Sequence, residues 1–254
     1  MPEMKVIATY NIKGGVGKTA TAVNLAWLAA QEGAPTLVWD LDPQGAASYY
    51  FRIKPSIKGG GKRLLQGKRD LDDYIRGTDY EWLDLLPADF SYRNMDLIFD
   101  HGKKPERHLN RLLRPFRNEY YYVFLDCPPS ISLTSENVFA ASDALLIPTI
   151  PTTLSLRTYQ QIVQFFRQNH LDMLKLLPFF TMVDRRKQLH RSIVDQPSGM
   201  LEDFLETRIP YNSEVELMGV HRAPVVEFSP ASPSARSYAS LWRDIKKRLA
   251  SYSP

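Results

Sequence analysis

An α/β fold, with a mostly parallel central sheet flanked by helices on both faces, is predicted by three observations. Apolar runs of strand length recur along the chain, helical patterns lie between them, and the runs end in small or polar residues. Continuous apolar strands suit a sheet covered on both sides, and parallel strands need a crossover between them. Strands are predicted at 5–10 (KVIATY), 36–42 (TLVWDLD), 82–88 (WLDLLPA), 120–129 (YYYVFLDCPP), 144–150 (ALLIPTI), 176–184 (LLPFFTMVD) and 207–211 (TRIPY). Helical patterns fall at 18–32, 107–117, 134–141, 155–169, 186–206 and 234–251. This rhythm runs to the C-terminus, so residues 1–254 are predicted as a single domain. Residues 54–70, with three consecutive glycines among basic residues, are the expected mobile loop. The Pro/Ser stretch 228–237 reads as a linker into the last helix, with Ser232 or Ser234 as its cap.

Composition narrows the functional classes. Of 254 residues, 44% are apolar and 24% charged, as in ordinary soluble globular proteins. Cys127 is the single cysteine, which excludes disulfide frameworks and CxxC sites and suits a reducing, cytoplasmic setting. The apolar run at 5–12 is too short for a secretory leader and is interrupted, and no run approaches the ~20 residues of a membrane span. A net charge of +4 and a pI near 9.0 permit contact with nucleic acid or anionic surfaces without requiring it.

Between the first strand and the first helix stands KGGVGKT, residues 13–19. Glycines there let the backbone turn without a Cβ and converge its N–H groups on phosphate oxygens at a helix start. Lys18 would reach the β- and γ-phosphates and the Thr19 hydroxyl would ligate Mg²⁺. The usual pattern places a glycine where Ile12 stands; an extra lysine, Lys13, occupies the front of the loop instead. A bound triphosphate would relieve the repulsion between the two lysines. An accidental glycine-rich turn is the alternative, and the strand, loop and helix in the required order weigh against it.

This form is the deviant Walker A motif, and with it the chain resembles the ParA/MinD family of P-loop ATPases, within it the ParA/Soj partition proteins. The stretches that carry the resemblance are NIKGGVGKTATAVNLA (11–26), DLDPQGAAS (40–48), LDLLPA (83–88), FLDCPPS (124–130), LLIPT (145–149), TMVDRR (181–186) and RIPYN (208–212). The resemblance implies an ATP- and Mg²⁺-dependent ATPase, slow and partner-stimulated, that dimerises around its nucleotide. It places Lys13, Gly14, Gly15, Val16, Gly17, Lys18, Thr19 and Ala20 on the phosphates. Lys13 would cross to the partner's nucleotide, neutralising charge as an arginine finger does.

Asp40 and Asp42 sit at i and i+2 and share one face of a strand that opens on the crevice at the carboxyl end of a parallel sheet. The resemblance assigns Asp42 to the attacking water and Asp40 to the Mg²⁺ shell. A polar strand end with an aspartate capping the next turn would look similar. Asp126 closes a buried apolar strand, where a carboxylate is costly without a partner; Mg²⁺ through a bound water is a natural one, matching a Walker B aspartate. Backbone N–H groups could satisfy it instead. Cys127 reads as a packed small hydrophobe. Pro210 and Asn212 match a family loop beside the adenine, with Thr181 and Asp184 as further neighbours of the base. A plain strand–turn is the alternative there.

Basic residues cluster at Arg185, Arg186, Lys187 and Arg191, and again at Arg222, Arg236, Arg243, Lys246, Lys247 and Arg248. ParA-like dimers bind DNA non-specifically through late basic residues, which makes these candidates for phosphate contacts; a solvated helix face is the alternative. The chain departs from the family here. The usual DPKSRG stands as SPASPS (229–234), putting Ala231 and Pro233 where lysine and arginine belong, and RNVRLSE stands as the acidic YNSEVEL (211–217). The last helix carries Leu241, Trp242, Ile245 and Leu249 on one face, a pattern shared with MinD-like membrane-targeting helices. It coincides with the fold's own last helix, so core packing is expected and stable membrane association is not.

The function implied is ATP-driven segregation of plasmid or chromosome DNA by a cytoplasmic, nucleoid-associated homodimer, with a ParB-like or other cargo adaptor stimulating hydrolysis. A protein cargo such as a carboxysome or chemoreceptor array, a MinD-like membrane regulator, and a nucleotide-gated scaffold are the alternatives. A reductase of the nitrogenase iron-protein type would need two cysteines per subunit for its cluster, and the chain has one.

Overall fold

The computed structural model describes residues 3–66, 71–100, 105–195 and 199–251, apart from the side chains of Met200 and Glu202. Among them run seven strands: β1 (Lys5–Thr9), β2 (Thr36–Asp40), β3 (Arg76–Gly77), β4 (Leu83–Leu86), β5 (Tyr122–Asp126), β6 (Ala144–Thr149) and β7 (Leu176–Phe180). They form one sheet in the order β3-β4-β2-β5-β1-β6-β7, parallel except for β3, which runs antiparallel to β4. Each crossover is helical, so side chains alternate between two covered faces.

That alternation sorts the core. Val6, Ala8, Leu37, Trp39, Val123, Leu125, Leu145 and Ile147 point to one face. Ile7, Val38, Phe124, Leu146, Leu177 and Phe179 point to the other. The first face is covered by α3 (Gly61–Leu65), α4 (Met95–Phe99), α5 (His108–Leu113), α6 (Leu133–Ala141), α7 (Thr153–Gln168) and α8 (Gln188–Asp195). The second is covered by α1 (Lys18–Gln31), α2 (Ala46–Tyr50), α9 (Ser213–His221), α10 (Val225–Phe228) and α11 (Pro233–Ser251).

Several expectations are corrected. Residues 207–211 make no strand. Ile209 donates to Phe180 O, Val183 to Ile209 O and Tyr211 to Val183 O, and the pairing amounts to a single parallel bridge, Val183 with Pro210, just beyond β7. The expected helix 186–206 is α8 followed by a 3₁₀ turn at Gly199–Asp203, with 196–198 outside the described residues. Residues 107–117 are α5 continued by a 3₁₀ turn (Arg114–Asn118), because Pro115 cannot extend an α-helix. The expected mobile loop 54–70 contains α3, with Leu64 and Leu65 fully buried; 67–70 lie outside the described residues.

The last helix packs as expected. Leu241, Trp242, Ile245 and Leu249 are buried, and the Trp242 ring lies 5.0 Å from Tyr122 and 5.9 Å from Phe124 between ring centres. Its start is capped by Ser232, whose hydroxyl accepts from Ala235 N at 3.1 Å. No helix among the described residues is long and apolar enough to cross a membrane. Trp242→Ala is expected to lower unfolding free energy by about 3–5 kcal/mol, read from urea denaturation; a loss below ~1 kcal/mol would show that α11 contributes little to the core.

Candidate nucleotide-binding site

β1 ends at Thr9, and the chain turns through Asn11–Gly17 into α1. Gly15 has φ +69° and Gly17 φ +87°; Gly17 also serves as the helix N-cap residue. A side chain at Gly17 would be strained and would meet Thr181 Oγ1 at 3.4 Å. Asn11 braces the loop from beneath. It is fully buried, donates to Pro148 O at 2.9 Å and accepts from Lys13 N at 2.9 Å.

The start of α1 lacks every ordinary form of compensation. No side chain caps it, no acidic residue lies in its first turn, and its first residue is a lysine. A helix N-terminus concentrates unpaired N–H donors and partial positive charge, so this end is built to receive an anion. Lys18 is buried, with Nζ donating to Lys13 O at 3.1 Å. Burial pulls its ammonium below the ordinary lysine range, while Asp126 pulls the other way.

Lys13 lies within its own chain, Nζ donating to Ser155 Oγ at 3.3 Å. Ser155 is in the first turn of α7, so this cation rests at the positive end of a helix, an unfavourable place for it.

Across the loop, three strands end in register: Thr9 of β1 beside Asp126 of β5, and Asp126 beside Asp40 of β2. Both carboxylates are fully buried. Asp126 Oδ1 accepts from Thr9 Oγ1 at 3.3 Å, and Oδ2 has no partner. Asp40 Oδ2 accepts from Ser48 N at 2.8 Å and Ser48 Oγ at 2.7 Å, and Oδ1 has no partner. Burial lifts the Asp40 carboxyl to about 7 and lifts Asp126 well above the carboxylate range; Asp40's charge adds to the latter, and the Thr19 hydroxyl and Lys18 oppose it. Two orphaned carboxylate oxygens beside a threonine hydroxyl fit a divalent cation that keeps its remaining positions for phosphates and water. No group of three or more His, Cys, Asp or Glu side chains suited to a metal occurs among the described residues, so the protein alone supplies only part of a coordination shell.

Asp42 is half-buried and accepts from Gln44 N at 3.0 Å. Cys127 is buried, its thiol pushed well up by burial, as expected of a packing residue. Pro210 and Asn212 border α9; Asn212 Oδ1 accepts from Glu214 N at 2.9 Å and caps that helix. Thr181 packs near Gly17. Asp184 is engaged instead by Arg186, at 2.9 Å through both Nε and Nη2, which holds its carboxyl down at about 2.

The basic candidates divide between the two layers that cover the sheet. Arg185, Arg186, Lys187 and Arg191 accompany α8, which buries Val194 against the first core face, whereas Arg236, Arg243, Lys246, Lys247 and Arg248 belong to α11 on the second. Several are engaged nearby: Arg185 with Asp195 at 4.0 Å, Lys246 with Glu32 at 2.6 Å, Arg243 with Ser240 at 3.0 Å, and Arg222 with Tyr49 O at 3.1 Å.

A glycine-rich loop on an uncapped helix, set between a parallel strand and two buried carboxylates, defines a P-loop nucleotide-binding protein. The loop has a lysine at its front as well as its end. The model of the AAA domain family matches residues 4–177. The sporulation initiation inhibitor protein Soj of Bacillus subtilis is 32% identical over 95% of this chain and 98% of its own. The chromosome partitioning protein ParA of Myxococcus xanthus is 31% identical over 98% of this chain and 90% of its own. A plasmid partition protein from Borrelia burgdorferi, solved bound to AMPPNP, superposes with a TM-score of 0.81 at 22% identity, over 96% of this chain and 99% of its own. The chain belongs to the ParA/MinD family of P-loop ATPases.

Metal-free protein is expected to lose stability as pH rises. The folded Asp40 holds its proton up to about 7, while an unfolded aspartate releases its proton near pH 3.9. The native state therefore binds more protons across that window, and unfolding free energy falls from about pH 4 to pH 7. Urea midpoints in EDTA should fall over this range, and Asp40→Asn should flatten the profile. Equal slopes in both proteins would show that Asp40 is not held protonated.

Proposed function

We propose that the chain is an ATP-dependent partition switch of ParA type. ATP and Mg²⁺ close a homodimer that holds DNA without sequence preference, and hydrolysis, stimulated by a cargo-bound adaptor of ParB type, releases it. One observation carries the nucleotide part: an uncapped helix N-terminus that begins with the buried Lys18 lies beside two buried carboxylates that each keep an oxygen without a partner, so that a triphosphate with a divalent cation satisfies both charges at once. The partition names of the Myxococcus xanthus relative and the Borrelia burgdorferi neighbour support the cargo reading.

In this mechanism the α1 N-terminus and Gly14–Ala20 bind the phosphates, with Lys18 on the β- and γ-oxygens. Thr19, Asp40 and Asp126 would hold the cation, which would neutralise charge developing on the phosphate oxygens. Ser48 and Thr9 fix the two carboxylates. Asp42, tied to Gln44 N through one oxygen, keeps the other to orient the attacking water. Lys13 leaves its place at the start of α7 for the partner subunit's nucleotide, exchanging a helix's positive end for a polyphosphate. Pro210 and Asn212 border the adenine; with its carbonyl spent on the α9 cap, Asn212 has its amide NH₂ to donate.

Lys18→Ala should abolish ATP binding in equilibrium titrations. Asp42→Ala should keep ATP binding while slowing single-turnover hydrolysis by about 100-fold or more, and should run as a dimer on size exclusion with ATP. Adding Lys13→Ala should return it to the monomer. A strictly monomeric ATP-loaded protein, or parental hydrolysis by Asp42→Ala, would sink the switch.

A further inference from the structure

Residues 43–66 hold five of the chain's 32 Lys and Arg and none of its 28 Asp and Glu, leaving 27 basic against 28 acidic residues elsewhere. The stretch therefore carries five positive charges with no acidic residue among them. Arg52 is paired with Asp79 at 2.7 Å. Lys54, Lys58, Lys62 and Arg63 are exposed and have no carboxylate partner among the described residues. The basic residues of α8 and α11 are by contrast partly consumed by Asp184, Asp195 and Glu32.

The segment is held in place by backbone contacts rather than by its charges. Asp89 accepts from Ile57 N at 2.9 Å and Gly61 N at 3.2 Å, fixing the turn that carries the exposed Lys58, Lys62 and Arg63. Ile57, Leu64 and Leu65 point inward. Lys54, Lys58 and Arg76 line one open cleft of about 430 Å³ at the β3–β4 edge. What remains outward between the cations is Pro55, Ser56 and Gly59. Within Lys54–Arg63 itself no aromatic or large aliphatic side chain is exposed, although Lys62 also lines an apolar cleft with Leu97 and Ile98; a phosphate backbone needs only spaced cations.

The same anchors reach the nucleotide site. Ala88, next to Asp89, donates to Ser48 Oγ at 3.0 Å, and Ser48 holds Asp40. Gly45, in the loop after Asp42, has φ +68°, and a Cβ there would lie 2.6 Å from Pro55 Cβ, so the segment packs directly on that loop. We propose that the segment Lys54–Arg63 is the surface through which this chain holds the phosphates of duplex DNA. This rests on the DNA-binding reading above, and it moves the contact from the late basic residues to the β3–β4 edge.

The test is titration of the full chain with a random-sequence duplex, in AMPPNP and Mg²⁺, across a salt series. The fourfold variant Lys54→Gln/Lys58→Gln/Lys62→Gln/Arg63→Gln is compared with Arg185→Gln/Lys187→Gln/Arg191→Gln and with Arg243→Gln/Lys247→Gln. The segment variant should bind nucleotide normally, lose DNA affinity at least ~10-fold at low salt and flatten the log–log salt slope by about 3. The two reference variants should stay within about threefold of wild type. Wild-type affinity in the segment variant, with loss in either reference variant, overturns this assignment and leaves the DNA reading intact. Wild type that never binds DNA removes both. Retained DNA binding with lost adaptor stimulation would make the segment a protein-docking surface and overturn the proposal. Should the fourfold variant unfold, lysine acetylation of wild type with and without DNA replaces it: protection of Lys54, Lys58 and Lys62 is expected, and none overturns it.

Discussion

The structure turns on one electrostatic imbalance. At the carboxyl ends of β2 and β5 two fully buried aspartates each keep an oxygen without a partner, and across from them a helix begins with no cap and no acid in its first turn. Each half alone is costly: burial penalises an unpaired carboxylate, and an uncapped N-terminus leaves donors unsatisfied. Together they specify a ligand that is anionic toward the helix and cationic toward the carboxylates. The folded protein holds stored cost at this point, and binding releases it.

The rest of the fold keeps those two halves facing each other. Parallel pairing fixes Thr9, Asp126 and Asp40 side by side, and a one-residue slip would turn the carboxylates away from the crevice. Two covered faces resist such a slip, since every strand buries alternate side chains in different cores. On this frame the candidate contacts to phosphate and water sit in short loops: the glycine turn, the Asp42 turn and the start of α7. Lys13 belongs to this set, because its resting contact with Ser155 places a cation where a helix disfavours one.

The candidate nucleotide site was legible where a residue's chemistry is local. The loop glycines, Lys18, Asp40 and Asp126 announce themselves, because glycines between lysines and a carboxylate closing an apolar run have few other uses. Their supports were not legible. Ser48 reaches Asp40 from eight residues away, Thr9 meets Asp126 from another strand, and Ser155 meets Lys13 from another helix. Asn212 shows the converse: its pattern with Glu214 and Glu216 was a helix-start signal, and α9 begins there. The short helices α2, α3 and α4 carry too few turns for a periodic pattern and owe their form to packing.

From the chain alone came the α/β class, the order of the long elements, the phosphate loop and its family. Each rests on neighbours in sequence: apolar period, glycine spacing, the residue that closes a strand. Tertiary structure decided what depends on neighbours in space. It reduced the would-be strand at 207–211 to a single bridge, Val183 with Pro210, beside the sheet edge. It divided the late basic residues between two faces of the sheet, and it folded residues 54–66 onto Asp89 and the Asp42 turn. Periodicity records which side of an element is apolar; only the packed sheet determines which elements that side meets.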